Sequence, residues 1–94
     1  MLLRRALLVL ALLLPVAAHA DNDFNRASQA ELEQLKGIGP ALSQAILDER
    51  QKGGFADWRD LMARVSGIGP RLAQRWSQQG WTVAGQPYAA LSSR

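Results

Sequence analysis

The chain has 94 residues, 48% of them hydrophobic, with no cysteine, one histidine and a formal net charge of +3. That length allows one small domain whose core is marginal. The composition excludes disulfide support and cysteine-ligated zinc, and a single histidine, His19, leaves few nucleophile–base pairs.

Residues 1–20 read as a cleavable export signal. Arg4 and Arg5 form a basic start, residues 6–14 are an unbroken apolar run, Pro15 breaks it, and Ala18-His19-Ala20 fits the small-x-small cleavage rule. As a helix, residues 6–18 would span only about 20 Å, against a hydrocarbon core of roughly 30 Å, so cleavage is expected rather than stable membrane insertion. The expected mature chain begins at Asp21 and has 74 residues. Losing Arg4 and Arg5 takes the net charge from +3 to +1, and losing His19 removes the last imidazole. Carboxylates, lysines, hydroxyls and backbone are what remains for chemistry. The chain is therefore expected not to be an enzyme.

The charge is unevenly spread. Residues 21–60 hold eight acids against five bases (Arg26, Lys36, Arg50, Lys52, Arg59). Residues 61–94 hold Arg64, Arg71, Arg75 and Arg94 and no acid. Any basic face belongs to the second half, the other reading being an arginine-rich solvated helix surface.

Ser28-Gln29-Ala30-Glu31 has the capping-box pattern and predicts a first helix with Leu32 and Leu35 on one face. Gly37 fits the position just past that helix, where a left-handed backbone suits glycine, and Ile38 is expected to pack back on Leu32. Gly39 is the next N-cap and Pro40 the first helical residue. Leu42, Ala45 and Ile46 recur at helical spacing until Gly53-Gly54 stops the second helix. Asp57 caps a third helix carrying Trp58, Leu61, Met62 and Val65. Gly67 ends it, and Gly69-Pro70 starts a fourth helix with Leu72, Ala73 and Trp76 inward and Gly80 as a Schellman terminator. Phe24, Phe55 and Val83 are expected to close the core, and Trp58, Trp76 and Trp81 to be buried in it. Asp57 and Asp60 read as an N-cap and a solvated position rather than a metal pair. No stretch alternates as a strand, and residues 84–94, with Tyr88 among them, read as a flexible tail.

The two joints repeat. Leu35-Lys36-Gly37-Ile38-Gly39-Pro40 and Val65-Ser66-Gly67-Ile68-Gly69-Pro70 lie thirty residues apart, and Leu42/Leu72 and Gln44/Gln74 match beyond them. This reads as an internal duplication whose halves must pack together to bury a core. At each joint the glycines remove Cβ atoms and the isoleucine points inward as a peg. The first N–H groups of the following helix have no partner within it, which makes the joint a place for phosphate. Lys36 at the first joint, and Arg71 and Arg75 on one face at the second, add attraction. The candidate contact set is Lys36, Gly37, Ile38, Gly39, Ser66, Gly67, Ile68, Gly69, Arg71 and Arg75. Contacts of this kind go to the nucleic-acid backbone, so they position without reading sequence.

These residues resemble the duplicated helix-hairpin-helix domain, and the chain from Asp23 to Val83 resembles the ComEA-type competence proteins. Asp23-Phe24-Asn25-Arg26-Ala27-Ser28 is similar to that family's opening Asn-x-Asn-Thr-Ala-Ser. The two hairpins, with Ala45-Ile46, Arg50, Gly54-Phe55 and Leu61 between them, follow its order. The resemblance implies an all-α, compact four- to five-helix (HhH)2 domain over residues 21–83. It also implies a periplasmic receptor that binds double-stranded DNA during transformation, partnered by an uptake pilus and an inner-membrane DNA channel. The resemblance implies no cofactor beyond a monovalent cation that some hairpins hold on their carbonyls. The chain departs from the pattern at Leu42, where the family often has lysine, at Asp23 and Arg26, and in a Leu61-to-Gly67 spacing one residue longer than the commonest form. A protein-interaction scaffold on the same fold is the alternative, favoured by the small net charge of the expected mature chain.

Overall fold

In the computed structural model, which describes residues 22–89, four helices form among the described residues: α1 (Gln29–Leu32), α2 (Pro40–Gln51), α3 (Trp58–Arg64) and α4 (Pro70–Gln78). Both halves of the α1 capping box are present. The Glu31 amide donates to Ser28 Oγ at 3.1 Å, and the Ser28 amide donates to Glu31 Oε1 at 2.8 Å. Asp57 Oδ1 caps α3 by accepting from the Asp60 amide at 2.8 Å. α4 ends in a Schellman motif: the Gly80 amide donates to Ser77 O at 2.9 Å and the Trp81 amide to Trp76 O at 3.1 Å, with Gly80 at φ +97°.

The helices before the joints are shorter than the sequence pattern predicts. α1 stops at Leu32, and the chain continues through single turns in which the Gln34 amide donates to Glu31 O and the Leu35 amide to Leu32 O. Gly37 is therefore the third residue of a β-turn from Leu35 to Ile38, closed by the Ile38 amide on Leu35 O at 3.0 Å, and not a helix terminator. Its φ of +99° is what a type II turn demands at that position. The second joint repeats this with Val65 extended, Gly67 at φ +100° and the Ile68 amide 3.4 Å from Val65 O. Such a turn lets both flanking apolar residues, Leu35 and Ile38 or Val65 and Ile68, enter the core; all four are buried.

The core is built around Phe24. Its ring lies 5.5 Å from Trp58, 5.5 Å from Trp76 and 5.1 Å from Trp81, centroid to centroid, within the range of favourable aromatic pairs. Leu32, Ile46, Phe55, Leu61, Val65 and Val83 fill the rest, and the three tryptophans are buried as expected. There are no strands among the described residues, only isolated bridges pairing Asp23 with Thr82 and Val83 with Gln86.

Polar fasteners join distant segments. Asn25 reads the Phe55 backbone in both directions, donating from Nδ2 to the carbonyl at 2.9 Å and accepting the amide at 2.7 Å. Arg50 Nη1 donates to Phe24 O and Ala27 O, each at 2.9 Å. The Asp23 side chain accepts from Thr82 Oγ1 at 2.6 Å and from the Asn25, Gly85 and Ala84 amides. Burial pushes its pKa up, but these four donors outweigh burial and hold the pKa below the ordinary aspartate value.

Arg64 is part of the frame, which corrects its place among the surface bases. It donates to the carbonyls of Glu49, Gly53 and Gly54, pairs with Glu49 and Asp60, and lies 4.6 Å over the Phe55 ring. Asp60 is likewise not merely solvated: the Ala56 amide and Arg64 both donate to it, and they lower its pKa in that order. The segment expected as a tail from residue 84 is packed as far as Tyr88. Trp58 Nε1 donates to Gln86 O at 2.8 Å, the Tyr88 ring meets Trp58 edge-on at 5.7 Å, and the Tyr88 amide donates to Ser77 Oγ. The export signal expected at residues 1–20 and the last residues of the expected tail, 90–94, lie outside the described residues. Among the described residues no helix is long and apolar enough to cross a membrane.

Candidate nucleic-acid interface

The two joints are seated by their isoleucines. Ile38 and Ile68 are buried, while Lys36, Gly37 and Gly39 at the first joint and Ser66 and Gly67 at the second are exposed. Each peg pins a loop of bare backbone to the surface.

The joints are packed against each other reciprocally. A Cβ on Gly37 would lie 3.6 Å from Leu72 Cδ2, at the start of α4, and a Cβ on Gly67 would lie 3.8 Å from Leu42 Cδ1, at the start of α2. Each hairpin thus rests on the leucine that follows the other hairpin. Leu42, where the resemblance puts lysine, is half-buried and serves this contact. Trp76 adds a one-sided tie, its Nε1 donating to Lys36 O at 3.2 Å. The fold brings the two Gly-Ile-Gly-Pro turns and the first turns of α2 and α4 together.

The helix starts differ in a way that packing does not require. Ser28 and Asp57 cap α1 and α3 with side chains, whereas Gly39 and Gly69 cap α2 and α4 with none. Both glycines are extended, at φ −101° and −123°, a conformation open to any residue, and a Cβ on either would meet nothing within 4 Å. Serine or aspartate would stabilise these helices at either position. Leaving glycine there keeps the first amides of α2 and α4 uncovered, each carrying the partial positive charge of a helix N-terminus.

Arg71 and Arg75 are exposed on α4 and Lys36 is exposed at the first turn. None of the three forms an ion pair among the described residues, whereas Lys52 and Arg64 do. Of the sequence-predicted set, then, Lys36, Gly37, Gly39, Ser66, Gly67, Arg71 and Arg75 present surface at or beside the two joints, Gly69 is half-buried there, and Ile38 and Ile68 hold the turns from inside. The Leu35 and Lys36 carbonyls already accept from the Ile38 amide and the Trp76 indole. No group of three or more His, Asp or Glu side chains among the described residues is placed to hold a metal.

Sequence reasoning missed the residues that brace this face. Ser43 is fully buried on the first turn of α2, and its hydroxyl joins Gln29 and Glu33 to Pro40 O. Arg50 and Asn25, which the sequence offered only as part of the family resemblance, hold the chain that enters the domain, away from the joints. The one signal for Ser43 was a polar residue beside Leu42 in an apolar frame, and spacing alone gives it no partner.

A family model described as the helix-hairpin-helix motif matches residues 21–78, more than half of the chain. No curated protein and no solved structure matches it.

Proposed function

The chain belongs to the helix-hairpin-helix family, and on that premise we propose that it is an exported module that grips double-stranded DNA by its phosphates, without regard to sequence. The family supports nucleic-acid binding in general. The observation that carries the reading further is the pair of glycine N-caps, Gly39 and Gly69, which leave two neighbouring helix starts uncapped while the other two helices are capped by side chains. Phosphate oxygens are the natural acceptors for such amides. Lys36, Arg71 and Arg75 supply attraction around them. The module positions DNA and performs no chemistry on it. Plasmid incubated with the protein and Mg²⁺ is expected to stay intact.

The narrower reading is a competence-type receptor in the periplasm, freed by cleavage after residue 20. It would hold incoming duplex against backsliding for an uptake pilus and an inner-membrane channel. The order of motifs from Asp23 to Val83 supports it.

The test is binding of the purified protein to two unrelated random-sequence duplexes over a salt series. Equal affinities, with Kd on the order of 10⁻⁴–10⁻⁶ M and weakening steeply with salt, are expected. Absence of binding at low salt, together with a protein partner captured after nuclease treatment, transfers the fold to the scaffold reading.

A further inference from the structure

The two hairpins share a backbone but not their charges. The thirty-residue offset pairs Arg71 with Ala41 and Arg75 with Ala45, so the first helix start lacks both arginines. It also carries an acid that the second lacks. Ser43 Oγ donates to Glu33 Oε2 at 2.6 Å, lies 3.1 Å from Pro40 O, and accepts from Gln29 Nε2 at 2.9 Å. The same offset pairs Ser43 with Ala73 and Glu33 with Ala63, so nothing of this kind exists at α4.

A buried hydroxyl therefore anchors a carboxylate beside the first turn of α2. Its single O–H is committed to a short, charge-assisted bond, so the carboxylate does not swing freely. An anion held there interacts favourably with the start of α2. It also lowers the potential felt by an approaching phosphate. Lys36 offsets this one charge at the first hairpin, whereas at the second Arg71 and Arg75 stand unopposed by any ion pair among the described residues.

We infer that the interface is electrostatically one-sided: Arg71 and Arg75 make its ionic contacts with the phosphates, and Glu33, fixed by Ser43, restrains binding at the first hairpin. The inference rests on the reading of the hairpins as a nucleic-acid grip. It gives Glu33 a role in affinity that is separable from its structural role, because glutamine keeps an acceptor for the Ser43 hydroxyl and removes the charge.

The experiment measures affinity of the full-length protein for a fluorescein-labelled random-sequence duplex at several salt concentrations. Glu33→Gln should tighten binding about two- to five-fold at low salt, the range of an exposed charge interaction, with the gain fading as salt rises. Glu33→Ala is the second variant should glutamine disturb the fold, and it should tighten binding in the same way. The double variant Arg71→Ala/Arg75→Ala should weaken binding and flatten the slope of log affinity against log salt by about two, roughly one for each arginine. Lys36→Ala should flatten it by well under the roughly one expected for a full phosphate contact. A wild-type protein that binds while both Glu33 variants fold and bind no more tightly overturns this inference alone. So does an unchanged salt slope in the double arginine variant. A wild-type protein that does not bind duplex at low salt overturns the nucleic-acid reading and this inference with it.

Discussion

Placing a carboxylate at a hairpin N-cap should move stability and binding in opposite directions. At Gly69 the backbone is extended (φ −123°, ψ −177°), so aspartate enters without strain, and a Cβ there meets nothing within 4 Å. The new side chain can accept from the free amides of α4, as Asp57 accepts from the Asp60 amide in α3. The gain over glycine at an N-cap is a few tenths of a kcal/mol, to which the charge at a helix start adds a similar amount, about 0.5–1 kcal/mol together. For a domain of this size that raises Tm by roughly 2–8 °C. The same carboxylate occupies the amides assigned to phosphate and repels it. Losing charge-assisted hydrogen bonds of about 1.5–3 kcal/mol weakens DNA binding by roughly ten- to a hundredfold. Thermal denaturation and fluorescence anisotropy on one preparation read both quantities. If Gly69→Asp raises Tm and binds DNA as the wild type does, the uncapped helix start is not a phosphate contact and the reasoning fails.

Gly37→Ala and Gly67→Ala should act on the fold instead. Each forces an L-residue to φ near +100°, at a cost of about 1–2 kcal/mol, visible as a lower midpoint in urea. Arg50→Met keeps the aliphatic stem but leaves the Phe24 and Ala27 carbonyls without their donor, and should cost about 2–3 kcal/mol in the same assay. Asp23 has a folded-state pKa below its unfolded value, so its contribution is fully present above about pH 5 and is lost as pH falls through 4 and below. Asp23→Asn should accordingly flatten the fall of Tm between about pH 5 and pH 2, and an unchanged acid profile would refute the role given to this carboxylate.

Local rules made much of this fold legible. The capping box at Ser28, the Asp57 cap, the Gly39-Pro40 and Gly69-Pro70 starts and the Schellman end at Gly80 are each decided within about a turn of chain, and each stands where the pattern puts it. The ends of α1 and α3 were not legible in this way. A left-handed glycine serves a helix terminator and the third position of a type II turn equally well. Only the burial of Leu35 and Ile38, and of Val65 and Ile68, in the shared core chooses the turn. The residues that fasten the domain were out of reach for a different reason. Arg50 meets the Phe24 carbonyl across 26 positions and Asp23 meets Thr82 across 59, and no periodicity encodes such pairs. Arg64 shows the cost of counting charges along a chain: its guanidinium is spent on Glu49, Asp60 and three carbonyls.

The geometry of the candidate site was more legible than the asymmetry of its charges. Two equal motifs in sequence predict two equal hairpins, and the backbone agrees, with Gly37 and Gly67 within a degree of each other in φ. The difference lies in side chains outside the motif. Ala41 and Ala45 are seen to occupy the positions of Arg71 and Arg75 only once the offset is applied, and the Glu33–Ser43 bond appears only in three dimensions.

The most direct measurement is a titration of the ¹⁵N-labelled protein with a random-sequence duplex, followed by amide NMR. The account predicts that the largest shifts fall on Gly39, Ala41 and Leu42 and on Gly69, Arg71 and Leu72, with the second group shifting further and both following one binding curve. Shifts confined to other surfaces, such as the solvent side of α2 around Asp48, would contradict it.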